Sequence, residues 1–428
     1  MKNKNTIIEA KIGNLNELTK VLSVKEQAQE QLLAVMKALG IGKIVRNLKF
    51  EKAQGYTLAS LFISLLIMRL WGKTIASATS NHFHGLCAVS KNTLYRALLN
   101  ARIDWRMLLT KITLRFHAIL REHQVDTDEH DTCAILDDTT FQKSGIRIEG
   151  VSKVFDHVTH NFIYGMKCLT PALSDGKSCY PIDFSLHREK GKKKDYGLTL
   201  KQRKEQFKEK RNAKNPDYAR KAECDESRLE MVRRMLCHAV GHGINFKYVL
   251  ADSWFTCESL IQAVRELCGG SVHYIGLVKM NPKLRYQTSK SKRPQNIHEQ
   301  IVRYERTTSC YCRKYKCKYI QLHAKPGEQP IRIFIIKYGR STLWKVLLTT
   351  DTSMNFVRAF ELYERRWGIE VIFKECRGYL GLGKCQSRSY NAQIADTTLC
   401  FMMYQMLSLA KRFSEYETLG ARRTSSIL

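Results

Sequence analysis

Residues 363–377 read Tyr-Glu-Arg-Arg-Trp-Gly-Ile-Glu-Val-Ile-Phe-Lys-Glu-Cys-Arg. Within them Tyr363, Arg366, Glu370, Lys374 and Arg377 recur at intervals of 3, 4, 4 and 3. At about 100° per residue those positions return to nearly one face of an α-helix. Leu362, Ile369, Ile372, Phe373 and Cys376 fall on the opposite side. The spacing predicts a helix with an apolar back buried in a core. Its polar stripe sets one carboxylate amid cations, a layout suited to a metal ion and a phosphate.

The rest of the chain supplies the setting. Its 428 residues suffice for two or three domains. At 44% hydrophobic and 26% charged it has a globular composition. Lys and Arg (71) exceed Asp and Glu (40), giving a net charge of +31. Such an excess favours a polyanionic partner, above all nucleic acid. The polar start, MKNKNTIIEAKIGN, has no apolar signal core. The longest apolar run, residues 58–71, is broken by Ser60, Ser64 and Arg69, so it reads as a buried helix and no membrane span. The 14 cysteines are scattered, as expected of reduced thiols in a cytoplasm.

Residues 1–125 read as an all-α region, with helical spacing in 29–39, 57–71, 93–99 and 105–120. Ser90 is a candidate N-cap for a short helix displaying Lys91, Asn92, Arg96 and Asn100. That helix suits either DNA recognition or an ordinary capped surface. From residue 126 strands and helices mix, which implies an α/β domain. Strands are expected at 133–136, 162–170, 178–186, 246–251 and 272–278, and helices at 231–240 and 257–268. Residues 187–221 are rich in Lys and Arg with little apolar periodicity, so they are expected to be a mobile or DNA-contacting insertion, or a solvated linker. Residues 281–350 read as an inserted β-rich subdomain. Residues 351–415 complete the α/β domain, with a helix near 395–410, and 416–428 form a tail.

Three carboxylates stand out by position. Asp137 follows a short apolar strand in ILDDTTF, Asp252 follows another in YVLADSWF, and Glu370 lies on the stripe. Strand-end carboxylates can project from one edge of a parallel sheet, and a helix packed there can add a third. Such a cluster repels itself when bare but cages hard divalent cations. Taken singly, each Asp is an ordinary turn residue. Asp137 and Asp138 point to opposite faces of a strand, so only one should be a ligand. No G-x4-G-K-[ST] phosphate loop is present. Cys310, Cys312, Cys317 and His323 lie close in sequence but lack a familiar zinc spacing. His82 and His84 read as ordinary histidines.

ILDDT, then YVLADSWF, then Y-x2-R-x3-E-x6-(K/R) resembles the DDE transposases of the insertion-sequence-four type. The resemblance covers about residues 130–405, and the stretch ERRWGIEVIFKECRGYLGLG is typical of that family. It implies an RNase H-like catalytic core. Tyr363, Arg366 and Glu370 match the family's Tyr-Arg-Glu-Lys signature, whose last position, normally Lys, is Arg377 here. The family's first motif, Asp-x-Thr followed by Lys and Gly, fits Asp137, Thr139, Lys143 and Gly145, and so selects Asp137 over Asp138.

The resemblance implies that Asp137, Asp252 and Glu370 hold two Mg²⁺ (or Mn²⁺) ions. Tyr363, Arg366, Lys374 and Arg377 would grip phosphates, Lys91 and Arg96 would contact DNA, and Trp254 or Trp367 would stack on a base or pack in the core. The implied activity is cleavage of terminal inverted repeats and joining to target DNA, by a homodimer on the bacterial nucleoid. Two rivals remain from the sequence: a nuclease of the same fold that does not join, and a DNA-binding protein whose catalysis has lapsed.

Overall fold

A computed structural model describes residues 32–48, 55–78, 89–123, 131–156, 159–191, 193, 195–288, 291, 293–325, 329–339 and 341–413. His82, His84 and the tail from 416 onward lie outside the described residues.

Before the first strand the labelled elements are all helices: α1 (Ile41–Arg46), α2 (Leu58–Leu70), α3 (Ile75–Ala78), α4 (Lys91–Leu98) and α5 (Trp105–Glu122). Their starts follow local chemistry. The Thr57, Ser90 and Asp104 side chains each accept a backbone N–H of the first turn. The apolar faces of α2 and α5 pack on the long C-terminal helix α13 (Tyr390–Arg412), so the helical region and the sheet share one core.

The strands are β1 (Cys133–Gln142), β2 (Ser152–Asp156), β3 (Asn161–Ser174), β4 (Cys179–Pro181), β5 (Ser185–His187), β6 (Tyr248–Ala251) and β7 (His273–Val278). They are followed by β8 (Arg285–Thr288), β9 (Gln295–Asn296), β10 (Ser309–Cys312), β11 (Cys317–Lys325), β12 (Ile331–Tyr338) and β13 (Trp344–Thr349). The sheet runs β2-β3-β1-β6-β7-β13-β12-β11-β8-β9. Only β1, β6 and β7 are mutually parallel, and the other pairings are antiparallel. Cys133–Leu136 and β6 are wholly buried, as expected of a parallel centre covered on both faces. The remaining helices are α6 (Leu200–Lys204), α7 (Pro216–Glu223), α8 (Arg228–Gly241), α9 (Glu258–Glu266), α10 (Ile297–Tyr304), α11 (Phe356–Glu364) and α12 (Trp367–Tyr379). This mixed α/β architecture, with its large and mostly antiparallel sheet, fits an RNase H-like domain.

Four expectations change. β1 does not stop at Leu136: it runs on to Gln142 because β3 pairs with its whole length. The strand expected at 178–186 is two strands, parted at Ile182–Phe184. The β-rich run does not build a sheet of its own. Its last strand, β13, is apolar on both faces (Val346, Leu347 and Leu348 are buried) and extends the main sheet by pairing with β7. Residues 187–221 are not a solvated linker either. Arg211 pairs with Glu149 (2.6 Å) and Asp217 (3.3 Å), and buried Arg220 bonds Glu223 (2.9 Å) and the Phe184 carbonyl (2.9 Å). Their basic residues therefore serve packing as well as surface charge.

Candidate active site

Leu136 pairs with Ala251 in the parallel register of β1 and β6. Asp137 and Asp252 come next on two neighbouring strands, at the point where that pairing ends. β1 continues as a partner of β3 alone, while the chain after Ala251 turns away. The turn is fixed by Asp252 itself, whose Oδ1 accepts the Trp254 N–H (2.8 Å) and the Phe255 N–H (3.4 Å).

The signature helix closes over this edge. Leu362, Ile369, Ile372, Phe373 and Cys376 are all buried, as the stripe's apolar back requires. The helix is nevertheless broken: α11 ends at Glu364 and α12 begins at Trp367. Around the break, Arg365, Arg366, Gly368 and Ile369 each donate to the residue three back, tightening one turn without leaving the right-handed region. At the break the Arg365 guanidinium donates to the Asp131 carbonyl (2.9 Å) and packs over Gly176. Tyr363 therefore sits on α11, and the other stripe residues belong to α12 or its cap.

Arg366 stands between the carboxylates, bonded to Glu370 and lying 3.4 Å from Asp137 Oδ2. Burial pushes the Asp137 carboxyl up to about 7. The Asp138 N–H bonded to it (2.8 Å) pulls the other way, the nearby Asp252 charge adds to the rise, and Arg366 offsets part of it. Arg366 itself stays protonated despite burial, through Tyr363, Glu370 and Asp137. The Tyr363 phenol is pushed up to about 12 by burial. Arg366 is thus shared by Asp137 and Glu370, while the Asp252 charge acts on Asp137 from nearby.

Asp138 points to the other face of β1, toward α8. There Arg228 binds its Oδ2 and Lys167 lies 3.8 Å from its Oδ1. The Arg228 guanidinium also stacks 4.1 Å over the Trp254 ring, so the turn after Asp252 is tied to the strand of Asp137. Nothing local in the sequence marked Arg228, because its partner lies 90 residues away.

Arg377 binds the Thr139 hydroxyl and the Thr140 carbonyl (2.9 Å). Lys374 is exposed on the same helix, and Trp367 is exposed at its start. Lys91 and Arg96 are exposed on α4, which packs on α2 and α13 and not at the β1–β6 edge. Lys143, expected only as part of a motif, is buried. Its ammonium donates to the Gly383 carbonyl (2.9 Å), the Cys385 carbonyl (2.7 Å) and Gln393 Oε1 (2.7 Å), pinning the loop that follows α12 to the end of β1.

Among the described residues no three His, Cys, Asp or Glu side chains gather closely enough to hold a metal. Cys312 and Cys317 face each other across a hairpin, and His323 bonds Arg332 (2.9 Å). The Asp137–Asp252 edge is the place whose chemistry fits a divalent cation. Its donors are all carboxylate oxygens, the choice of hard ions, and the Asp137 carboxyl is raised by burial and by the Asp252 charge.

A sheet edge with two aspartates, overlain by a helix carrying Arg and Glu, is compatible with metal-assisted phosphodiester cleavage. The family model described as DDE superfamily endonuclease matches residues 59–301, more than half of the chain. A second, the transposase DDE domain, matches residues 223–406. The chain belongs to the DDE superfamily of endonucleases and transposases, nuclease-type enzymes that act on DNA. No curated protein matches it. Among the described residues no helix is long and apolar enough to cross a membrane.

Proposed function

We propose that this protein is a transposase of the insertion-sequence-four type. It binds the terminal inverted repeats of its own element, cuts the DNA there and joins the freed ends to target DNA. The observation that carries this reading is the register of β1 and β6, which sets Asp137 and Asp252 side by side beneath the helix of Glu370.

Asp137, Asp252 and Glu370 would hold two Mg²⁺ or Mn²⁺ ions. When bound, such ions supply an activated oxygen nucleophile and neutralise charge on the leaving oxygen. Arg366, which holds Glu370 and lies beside Asp137, is a guanidinium fork of the kind that takes a phosphate. Tyr363, Lys374 and Arg377 line the rest of the stripe as phosphate contacts, and the exposed side of Trp254 is available to a base. Residues 1–125, with Lys91 and Arg96 on α4, would read the repeat. Two ends must be held together for joining, so the working form would be a homodimer on the bacterial nucleoid.

The test uses a duplex carrying the repeats that flank the coding sequence. The full-length protein should cut it with Mg²⁺, lose cutting with EDTA, and join pre-cut ends to a plasmid. Cutting without joining would make the protein a nuclease of this fold. Binding without cutting would make it a lapsed transposase.

A further inference from the structure

The β2–β3 hairpin carries a feature that the carboxylate site does not use. In the continuous register of β1, β3 and β2, directly opposed residues share a face. Asp137 and Thr170 lie on one face, followed on it by Thr139 and Cys168, then Phe141 and Met166, then Tyr164 with Lys153, and Phe162 with Phe155. The face that bears Asp137 and α12 therefore continues outward onto the hairpin. Tyr164 lies six strand positions beyond Asp137 and Phe162 eight, about 20 and 26 Å at roughly 3.3 Å per residue.

The hairpin is built to present these rings. Phe162 is 62% exposed and Tyr164 38%. Phe155 meets Phe162 edge-to-face, with ring centroids 5.3 Å apart, and fixes its orientation. The Lys153 ammonium lies 5.7 Å from the Phe162 ring centre. Asp156 braces the turn by accepting from Thr159 N–H (3.2 Å) and hydroxyl (2.8 Å). Exposed rings with a lysine beside them, on the face that leads out from Asp137, suit the bases and backbone of a DNA arm.

We propose that the β2–β3 hairpin is a DNA wedge. Phe162 enters a base step of the bound duplex about six to eight base pairs from the phosphate at Asp137, taking about 3.4 Å per base pair. Tyr164 packs beside it and Lys153 contacts the backbone. The inference rests on the transposase reading.

The test places 2-aminopurine at successive positions of the repeat-bearing duplex and follows its fluorescence on binding. With the wild type, a rise from unstacking should peak about six to eight base pairs to one side of the cut. Phe162→Ala should abolish that peak and weaken binding about 5- to 150-fold, the effect of one lost aromatic–base contact. Lys153→Ala should weaken binding and keep the peak. The exposed position of Phe162 leaves the fold intact, which an unchanged Tm checks. A peak that survives Phe162→Ala overturns the wedge, as does a change confined to self-association in sedimentation. If cutting is normal but no peak exists, the wedge alone fails. If the wild type binds no DNA, the wedge and the transposase reading fail together.

Discussion

At the scale of single residues, chemical type was legible and partnership was not. Asp137, Asp252 and Glu370 stood out because each occupies a special place, and the structure puts the first two directly after the last pair of the parallel β1–β6 register. Lys143 was visible only as a motif position. Its three acceptors lie about 240–250 residues away, two in a loop with no pattern of its own and one, Gln393, on α13. Arg228 was invisible for the same reason: contacts across the fold leave no spacing in the chain. Lys143→Met should destabilise the protein by about 2–4 kcal/mol, because the Gly383 carbonyl and the Gln393 oxygen lose their ammonium donor while the Cys385 carbonyl keeps only the Gln393 N–H. Chemical denaturation measures this, and an unchanged midpoint would show that the ammonium is not what pins the loop.

At the scale of elements, apolar periodicity located most helices and strands, and it erred where tertiary pairing decides. β1 outlasts its apolar run because β3 supports it through Gln142. The signature helix is divided after Glu364 by a turn of tighter bonds to the residue three back. Lys- and Arg-rich composition disguised residues 187–221, where Arg211 and Arg220 are paired with carboxylates. α12 approaches β4 closely at Gly368, where an added Cβ would meet Cys179 at 2.9 Å. Gly368→Ala should therefore cost about 1–3 kcal/mol by overpacking, read as a lower Tm. It should also reduce cleavage by lifting Glu370 from the β1 edge. Full stability in that variant would mean α12 can shift without loss.

At the scale of the whole molecule, the sheet and the helical region share one core, and that core buries titratable groups. His117 bonds Tyr180 (2.7 Å) and His187 bonds Ser185 (2.7 Å). Burial pushes both imidazoles down to about 4, against 6.5 in an unfolded chain. The fold thus prefers the neutral rings. Their contribution is complete above about pH 6.5, shrinks as pH falls, and is gone below about pH 4. Each loss approaches roughly 3 kcal/mol over that window. Denaturation midpoints should fall between pH 7.5 and pH 4.5, and less steeply in His187→Gln. Equal slopes in the two proteins would remove His187 from the account. The net charge of +31 agrees with a DNA partner but does not say where the DNA lies. That information comes from the β1–β6 edge and the faces that lead away from it.

The central claim is that Asp137, Asp252 and Glu370 form the cutting centre while Asp138, on the opposite face, does not. Single-turnover cleavage of the repeat-bearing duplex in Mg²⁺ tests it most directly, with Asp137→Asn, Asp138→Asn and Glu370→Gln measured beside the wild type. The account predicts that Asp137→Asn and Glu370→Gln bind the duplex and do not cut it, whereas Asp138→Asn, once folded, still cuts. Wild-type cutting by Glu370→Gln, or loss of cutting in a folded Asp138→Asn with Asp137→Asn active, would contradict it.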